Sequence, residues 1–353
     1  IYSIPGELVK NLYNNPGVVH DVQLRPALRK KLLQKYDTLN AGERKDFRSI
    51  ISEKASPTQI DDPQVLETVS AFYDFQRQKK KGQLTTAQFH QWDLVRSKRA
   101  TLGEAHFENM QPILGDTRPD LGHDAYALSP CFGIETTGAE PGRAFTCLRI
   151  QSAYHDLWNN DLGFKKYSEI QFPWVEVRYR PQRHNWNLEE LGFIRVTSLS
   201  PLERLDFNLS WETEAGFQSP KDFGCLNCRV LAWKGGLGTA FDVISPNHIL
   251  YQFFALRAEA DPIFQKGYRL LPTLELGWIS TLHQNWKLGA QASYSQDFSG
   301  EAITDQFYQL TQKLSYSFER NLELREELGW VYSRLSSRPN YEQARLNLYY
   351  YFR

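Results

Sequence analysis

Tyr154-His155-Asp156 sets a histidine beside a carboxylate, the composition of a general base and its orienting partner. The same residues suit a structural role, a hydrogen-bonded group on a protein wall with neighbours such as Arg149. A hydroxyl or thiol nucleophile needs an adjacent base held by a third group. No Gly-x-Ser-x-Gly elbow is present, and no such triad can be assembled here. Cys225-Leu226-Asn227-Cys228 has the spacing of a redox or zinc motif. No βαβ pattern surrounds it, and zinc would need two more ligands. An oxidised pair in a hairpin loop of an exported protein suits the context better. Thr197-Ser198-Leu199-Ser200-Pro201 reads as a turn whose hydroxyls satisfy backbone groups. No metal and no cofactor is expected.

The elements that must position these residues are strands. In Ala344-Arg345-Leu346-Asn347-Leu348-Tyr349-Tyr350-Tyr351-Phe352-Arg353, Ala344, Leu346, Leu348, Tyr350 and Phe352 share one face, while Arg345, Asn347 and Tyr349 share the other. The pattern recurs as twelve strands, near 123–135, 143–156, 166–180, 186–198, 206–218, 228–243, 249–261, 268–281, 286–298, 305–319, 321–335 and 341–353. Eight of nine tryptophans follow residue 140, several at strand ends, as interfacial girdles require. The fold class is mainly β: a twelve-stranded antiparallel transmembrane β-barrel preceded by an α-helical region. Charges are expected on one side only, with lipid outside and a polar lumen. Without the terminal aromatic strand, a Trp-rich soluble sandwich would be the competing reading.

Register follows from turn centres. With Gly138-Ala139-Glu140 at the first turn, Cys131 lies opposite Cys147. Cys131, Glu135, Cys147, Arg149, Gln151 and His155 then face inward, and Leu128, Phe132, Ile134, Leu148, Ile150 and Tyr154 face lipid. A hairpin centred on Arg183 sets Val175 opposite Leu191 and Pro173 opposite Phe193, with Trp174, Glu176 and Arg178 inward. The expected lumen network is Arg149, Gln151, His155, Asp156, Glu176 and Arg178. Two disulfides are expected, Cys131 with Cys147 and Cys225 with Cys228. Charged lumen residues would pair across a narrow barrel and plug it. No His-Ser-Asn arrangement of the kind used by barrel phospholipases can be picked out.

Residues 1–105 read as helices. Ser56-Pro57-Thr58-Gln59 and Thr85-Thr86-Ala87-Gln88 have the form of capping boxes, and Asn40-Ala41-Gly42-Glu43 is similar. Asp62-Pro63 places a cap before a proline at the first helical position. Leu66, Val69 and Tyr73 mark an apolar stripe, seconded by Val65, Phe72 and Phe75. Arg77 to Lys81 is a basic run: either a solvated helix end in favourable dipole interaction or a lipid-headgroup patch. Pro112, Gly115, Pro119 and Gly122 mark a linker over 106–122, leaving 123–353 to the barrel.

With 41 basic and 41 acidic groups the chain is neutral, and nothing points to nucleic acid. No run of eighteen apolar residues exists, which excludes a transmembrane helix but not a barrel. The chain begins at Ile1 without a signal peptide, so a processed or truncated product is expected.

Several short runs carry a family resemblance. Pro16-Gly17-Val18-Val19-His20-Asp21-Val22-Gln23-Leu24-Arg25-Pro26, Leu39-Asn40-Ala41-Gly42-Glu43-Arg44, Leu121-Gly122-His123, Ser152-Ala153-Tyr154-His155-Asp156-Leu157 and Thr197-Ser198-Leu199-Ser200-Pro201 together resemble the C-terminal half of a family of Gram-negative envelope proteins. The N-terminal half of that family is the Lnb N-terminal periplasmic domain, of the lipoprotein N-acyltransferase type. The resemblance spans nearly the whole chain. It implies an outer-membrane barrel behind a helical periplasmic linker, with a thiol-dependent domain further upstream. That domain's catalytic residues map onto no position here. Arg353 after Phe352 departs from barrels that finish on the aromatic.

The expected role is to anchor and position an envelope-processing domain acting on lipoproteins or lipid. Expected partners are outer-membrane lipid, lipoproteins or the upstream domain, and the barrel-assembly machinery. One alternative is a small-solute channel lined by Arg149, Glu176, Arg178 and Lys287; another is a lipid-acting enzyme using His155 and Asp156.

Overall fold

The computed structural model describes residues 27–107, 121–138, 140–152, 155–202, 205, 207–223, 225, 228–245, 247–298, 306–334 and 340–353, with residues 12, 15 and 17. The run Pro16–Pro26 lies almost wholly outside these, as do most of the stretch 106–122 and Tyr154, Leu226 and Asn227. The chain divides into two compact units near residue 116.

The first unit holds helices α1 (Leu28–Thr38), α2 (Ala41–Ile51), α3 (Pro63–Lys79) and α4 (Thr86–Ala100). Asn40 and Glu43 close a reciprocal capping box on α2, and Thr85 and Gln88 close one on α4. Asp62 accepts from the backbone N–H groups of Gln64 and Val65, with Pro63 opening α3. Ser56 caps only a 3-10 turn, Pro57–Gln59, where the sequence pattern predicts a full capping box. Val65, Leu66, Val69 and Tyr73 of α3 are buried against Leu32, Tyr36, Phe47, Ile50 and Val95. Glu67 ties α1 to α4 through Lys35 (2.7 Å) and Arg99 (3.2 Å). Burial pushes the Glu67 carboxyl up, but these two cations override it and hold it below the ordinary value.

The second unit is a closed antiparallel sheet. Its segments are β1 (Tyr126–Thr137), β2 (Glu140–Gln151), β3 (Ser168–Gln171), β4 (Trp174–Arg180), β5 (Asn185–Ser198), β6 (Ser210–Gln218), β7 (Val230–Asp242), β8 (His248–Ala260), β9 (Tyr268–His283), β10 (Trp286–Gln296), β11 (Gln306–Glu319), β12 (Leu322–Ser333) and β13 (Tyr341–Phe352). Both β3 and β4 pair with β5, so they form one stave interrupted at Phe172-Pro173, where proline lacks a ladder N–H. β1 pairs with β13 and β5 with β6, which closes the ring at twelve staves. Tyr126 sits opposite Phe352, so the chain enters and leaves the barrel on one side.

Alternation works as the sequence predicts. Cys131 pairs with Cys147 in the ladder and by disulfide, Cα to Cα 4.9 Å. Val175 lies opposite Leu191. Phe132, Phe254, Leu276, Leu346 and Tyr350 stand exposed on the outer wall. Tyr349, Tyr351, Arg325 and Arg149 are buried inside. A continuous apolar exterior around a polar interior is what a bilayer demands of a barrel.

Three expectations need correction. The second strand is regular only to Gln151, short of 156; beyond it Ser152 still bonds Phe172 and Pro173, His155 bridges Ile170, and the chain leaves the wall after His155. A β-bulge between Glu176 and Val177 on β4 and Glu190 and Leu188 on β5 leaves Glu189 as an extra residue, turned inward and buried. Finally, charge is not confined to one side. In Arg325-Glu326-Glu327 the inward positions fall to Arg325 and Glu327, so Glu326 is exposed on the outer face between Leu314 and Leu346.

Candidate functional site

The barrel interior is the candidate site, and it is crossed by charge pairs. Arg149 on β2 reaches Gln151 (2.9 Å), Gln171 (2.9 Å), Glu190 (3.3 Å) and Glu176 (3.6 Å). Trp174 lies flat over Gly192, where any side chain would collide with the indole. Arg149 and Arg195 stand over the Trp174 ring at 5.4 and 4.9 Å. Arg178 pairs with Glu135 (2.8 Å), Glu176 (3.3 Å) and the bulge residue Glu189 (3.4 Å). Arg180 joins the same Glu135 at 2.5 Å, and Tyr341 donates to it at 3.2 Å. Arg345 on β13 binds its ladder neighbour Glu327 on β12 (3.0 Å) and reaches over β1 and β2 to Glu176 on β4 (3.3 Å). Lys234 bridges Glu275 (3.0 Å) and Glu212 (3.1 Å), and Arg269 bridges Glu259 (2.5 Å) and Asp222 (2.7 Å).

Both ends of this network are capped by chain that folds inward. On the side where the chain enters, the segment between β2 and β3 turns into the lumen. Asp156 accepts from the N–H groups of Trp158 (2.8 Å) and Asn159 (3.0 Å), which bends the chain. Arg325 holds the same carboxylate at 2.5 and 3.1 Å. Asn159 donates to Tyr351 (2.6 Å) and Glu323 (2.9 Å). Lys287 donates to the Leu157 carbonyl (3.1 Å) and pairs with Asp161 (2.8 Å). Trp158 packs on the bare backbone of Gly289. At the other end the β6–β7 connection carries a 3-10 turn, Lys221–Phe223, whose Asp222 meets Arg269 and whose Lys221 lies over Tyr341 at 5.1 Å. Cys225 and Cys228 are joined by a disulfide in that connection, Cα to Cα 5.4 Å. Between the caps lies a cavity of about 360 Å³, lined by Glu169, Trp174, Glu212, Lys234, Tyr251 and Lys313 among others.

The six residues expected to form one network divide among three settings. Arg149, Gln151, Glu176 and Arg178 stand together in the central ladder. Asp156 belongs to the cap with Arg325. His155 contacts neither Arg149 nor a nucleophile; its ring stacks on Phe164 at 3.9 Å, and its Nδ1 lies 3.4 Å from Nε2 of His123. His123 Nδ1 donates to the Asp124 carbonyl (2.8 Å) and its ring stacks on Tyr351 at 4.1 Å. The two facing ring nitrogens share one hydrogen bond, so one imidazole donates to the other. Burial first, and then His123 and Lys287, hold His155 well below the ordinary histidine value, so it stays neutral. A neutral, buried imidazole hydrogen-bonded to another imidazole orients the chain. Lys287 meets the cap, at the Leu157 carbonyl and Asp161.

Sequence reasoning missed Glu135, Arg180, Glu189, Arg325 and Arg345 as network members. Their inward parity was legible for the strands of Arg325 and Arg345; their partners were not. Among the described residues no group of three or more His, Cys, Asp or Glu side chains converges to hold a metal.

A closed twelve-stave barrel with an apolar exterior and an ionic interior defines a transmembrane β-barrel of the outer-membrane class. The chain belongs to the family described as "Domain of unknown function (DUF7840)", which matches residues 116–351. No curated protein matches it. Among solved structures it is similar to an outer membrane channel from Pseudomonas putida F1 (TM-score 0.42, 9% identity, 70% of this chain and 100% of that one). It is also similar to the NanC porin (TM-score 0.40, 9% identity, 64% and 100%) and to the β domain of the Bordetella autotransporter BrkA (TM-score 0.39, 12% identity, 65% and 100%). TM-scores this low carry no function across.

Proposed function

We propose that the barrel is a sealed anchor that positions a periplasmic envelope-processing domain at the outer membrane, one acting on lipoproteins or on lipid acyl groups. The observation that carries the sealed reading is the lumen itself. Arg345 reaches over β1 and β2 from β13 to Glu176 on β4, and Arg325 clamps the inward-folded cap, so ion pairs and cap occupy space a solute would need. The anchoring reading is supported by the family resemblance and by the even stave count. That count brings both barrel ends to one side, which in outer-membrane barrels is the periplasm. The helical unit would then lie in the periplasm, with lipoproteins or the upstream domain as partners and the barrel-assembly machinery as the route of insertion.

Planar-bilayer recording tests the seal. The purified chain should give no sustained conductance. Stable single-channel steps from the unaltered protein would turn the reading to the small-solute channel, with the internal cavity as its way-station. Fractionation tests the anchor: an intact precursor should sediment with outer membranes, and removal of residues 121–353 should release its upstream activity to the soluble fraction. The lipid-enzyme reading requires His155 to meet substrate, yet it is 2% exposed. Lipid hydrolysis that stops on His155→Ala would revive it.

A further inference from the structure

The basic run at the end of α3 belongs to a larger surface. Arg77, Lys79, Lys80 and Lys81 are all exposed. Phe89 on α4 is 56% exposed, an unusual position for a phenylalanine next to lysines. Three contacts join the two. Arg77 stands over the Trp92 ring at 5.4 Å, Arg96 over the same ring at 4.9 Å, and Phe89 meets Trp92 edge-on at 5.7 Å. Lys80 donates to Gln88, the neighbour of Phe89, at 3.3 Å. Arg77, Lys80 and Arg96 therefore gather about a protruding aromatic ring with Trp92 beneath it, and Lys79 and Lys81 continue the exposed basic run. Asp93 is the exposed acid beside it on α4, and Asp74 lies partly buried behind. Charge is also partitioned between the units. Residues 20–116 hold sixteen Lys and Arg against thirteen Asp and Glu, a net +3, while the whole chain is neutral.

We propose that this patch docks on anionic phospholipid headgroups, with Phe89 entering the interface and Arg77, Lys79, Lys80, Lys81 and Arg96 facing the phosphates. The chemistry is complementary: basic side chains are drawn to the negative surface potential of an anionic bilayer. An aromatic ring flanked by cations is the composition of an interfacial anchor.

The test uses the full chain in nanodiscs of phosphatidylcholine, with and without phosphatidylglycerol, and follows amide exchange over Lys80–Thr85 and the first turn of α4. Roughly tenfold slower exchange is expected with phosphatidylglycerol than without it, and high salt should reverse the difference. The triple variant Lys79→Glu, Lys80→Glu, Lys81→Glu should exchange alike in both discs. Phe89→Ser should lose part of the protection while keeping its salt dependence. These positions are exposed, so the helices should fold in every variant, which exchange over the α3 core amides verifies. Equal exchange in the two discs would overturn the proposal. So would protection that survives charge reversal, which would indicate a protein contact in place of lipid.

Discussion

Arg325 on β12 grips Asp156 with both terminal nitrogens, at 2.5 and 3.1 Å, across 169 residues of sequence. Both side chains are almost fully buried. The pair joins the barrel wall to the bend of the inward cap, so one contact couples stability to closure.

Removing Arg325 takes the cation from two buried carboxylates, Asp156 and Glu323. Arg325→Met should lower barrel stability by about 3–5 kcal/mol, read as a fall in the temperature at which the folded band shifts on a gel. Adding Asp156→Leu should recover much of that loss. If the cap is what seals this end, the single variant should also show bilayer conductance that the unaltered chain lacks. An Arg325→Met protein with unchanged melting would refute the coupling.

Leu276 and Glu326 report on the outer face from opposite directions. Leu276 is 49% exposed near the middle of β9. Leu276→Arg should cost about 2–4 kcal/mol in lipid, whereas Gln309→Arg, at the cavity wall, should be milder. Glu326→Leu should stabilise the barrel by about 1–2 kcal/mol, less than an arginine at midplane costs. Urea titration of refolded protein in vesicles measures all three. Destabilisation by Glu326→Leu would mean that this carboxylate has a partner within the membrane.

His155 gives the barrel an acid-sensitive limb. Its folded value is depressed by burial, then by His123 and Lys287. Above the ordinary value of about 6.5, neither folded nor unfolded chain carries the proton, so pH has no leverage there. Below it, only the unfolded chain takes the proton, and stability falls by up to about 1.4 kcal/mol for each pH unit until the folded value is reached. His155→Phe keeps the stack on Phe164 and should flatten that limb. Denaturation midpoints between pH 8 and pH 5 decide it, and an unchanged slope in the variant would count against a buried neutral His155.

The first hairpin is cross-linked where its ladder register puts Cys131 opposite Cys147. The bridge closes a loop with a sequence separation of 16. Cys147→Ser should therefore cost roughly 3 kcal/mol by the chain-entropy estimate. Peptide mapping without reductant should recover Cys131 with Cys147 and Cys225 with Cys228. Crossed pairs would show a slipped register.

What the sequence determined by itself is local and periodic. Alternation over ten or so residues set the twelve staves, their faces and the register of the Cys131–Cys147 hairpin, because a two-residue period and a tight turn leave no other way to bury the polar face. The caps at Asn40, Asp62 and Thr85 are equally local, each satisfied within three residues. What only the tertiary structure decided is who meets whom. Nothing in the spacing joins Arg345 to Glu176 or Arg325 to Asp156, since those neighbours arise when the ring closes. The bulge that turns Glu189 inward breaks the period on which the reading rested. The chain after His155 is drawn into the lumen by Arg325, Lys287 and Tyr351. Glu326 faces outward because three consecutive charges cannot all obey a two-residue period.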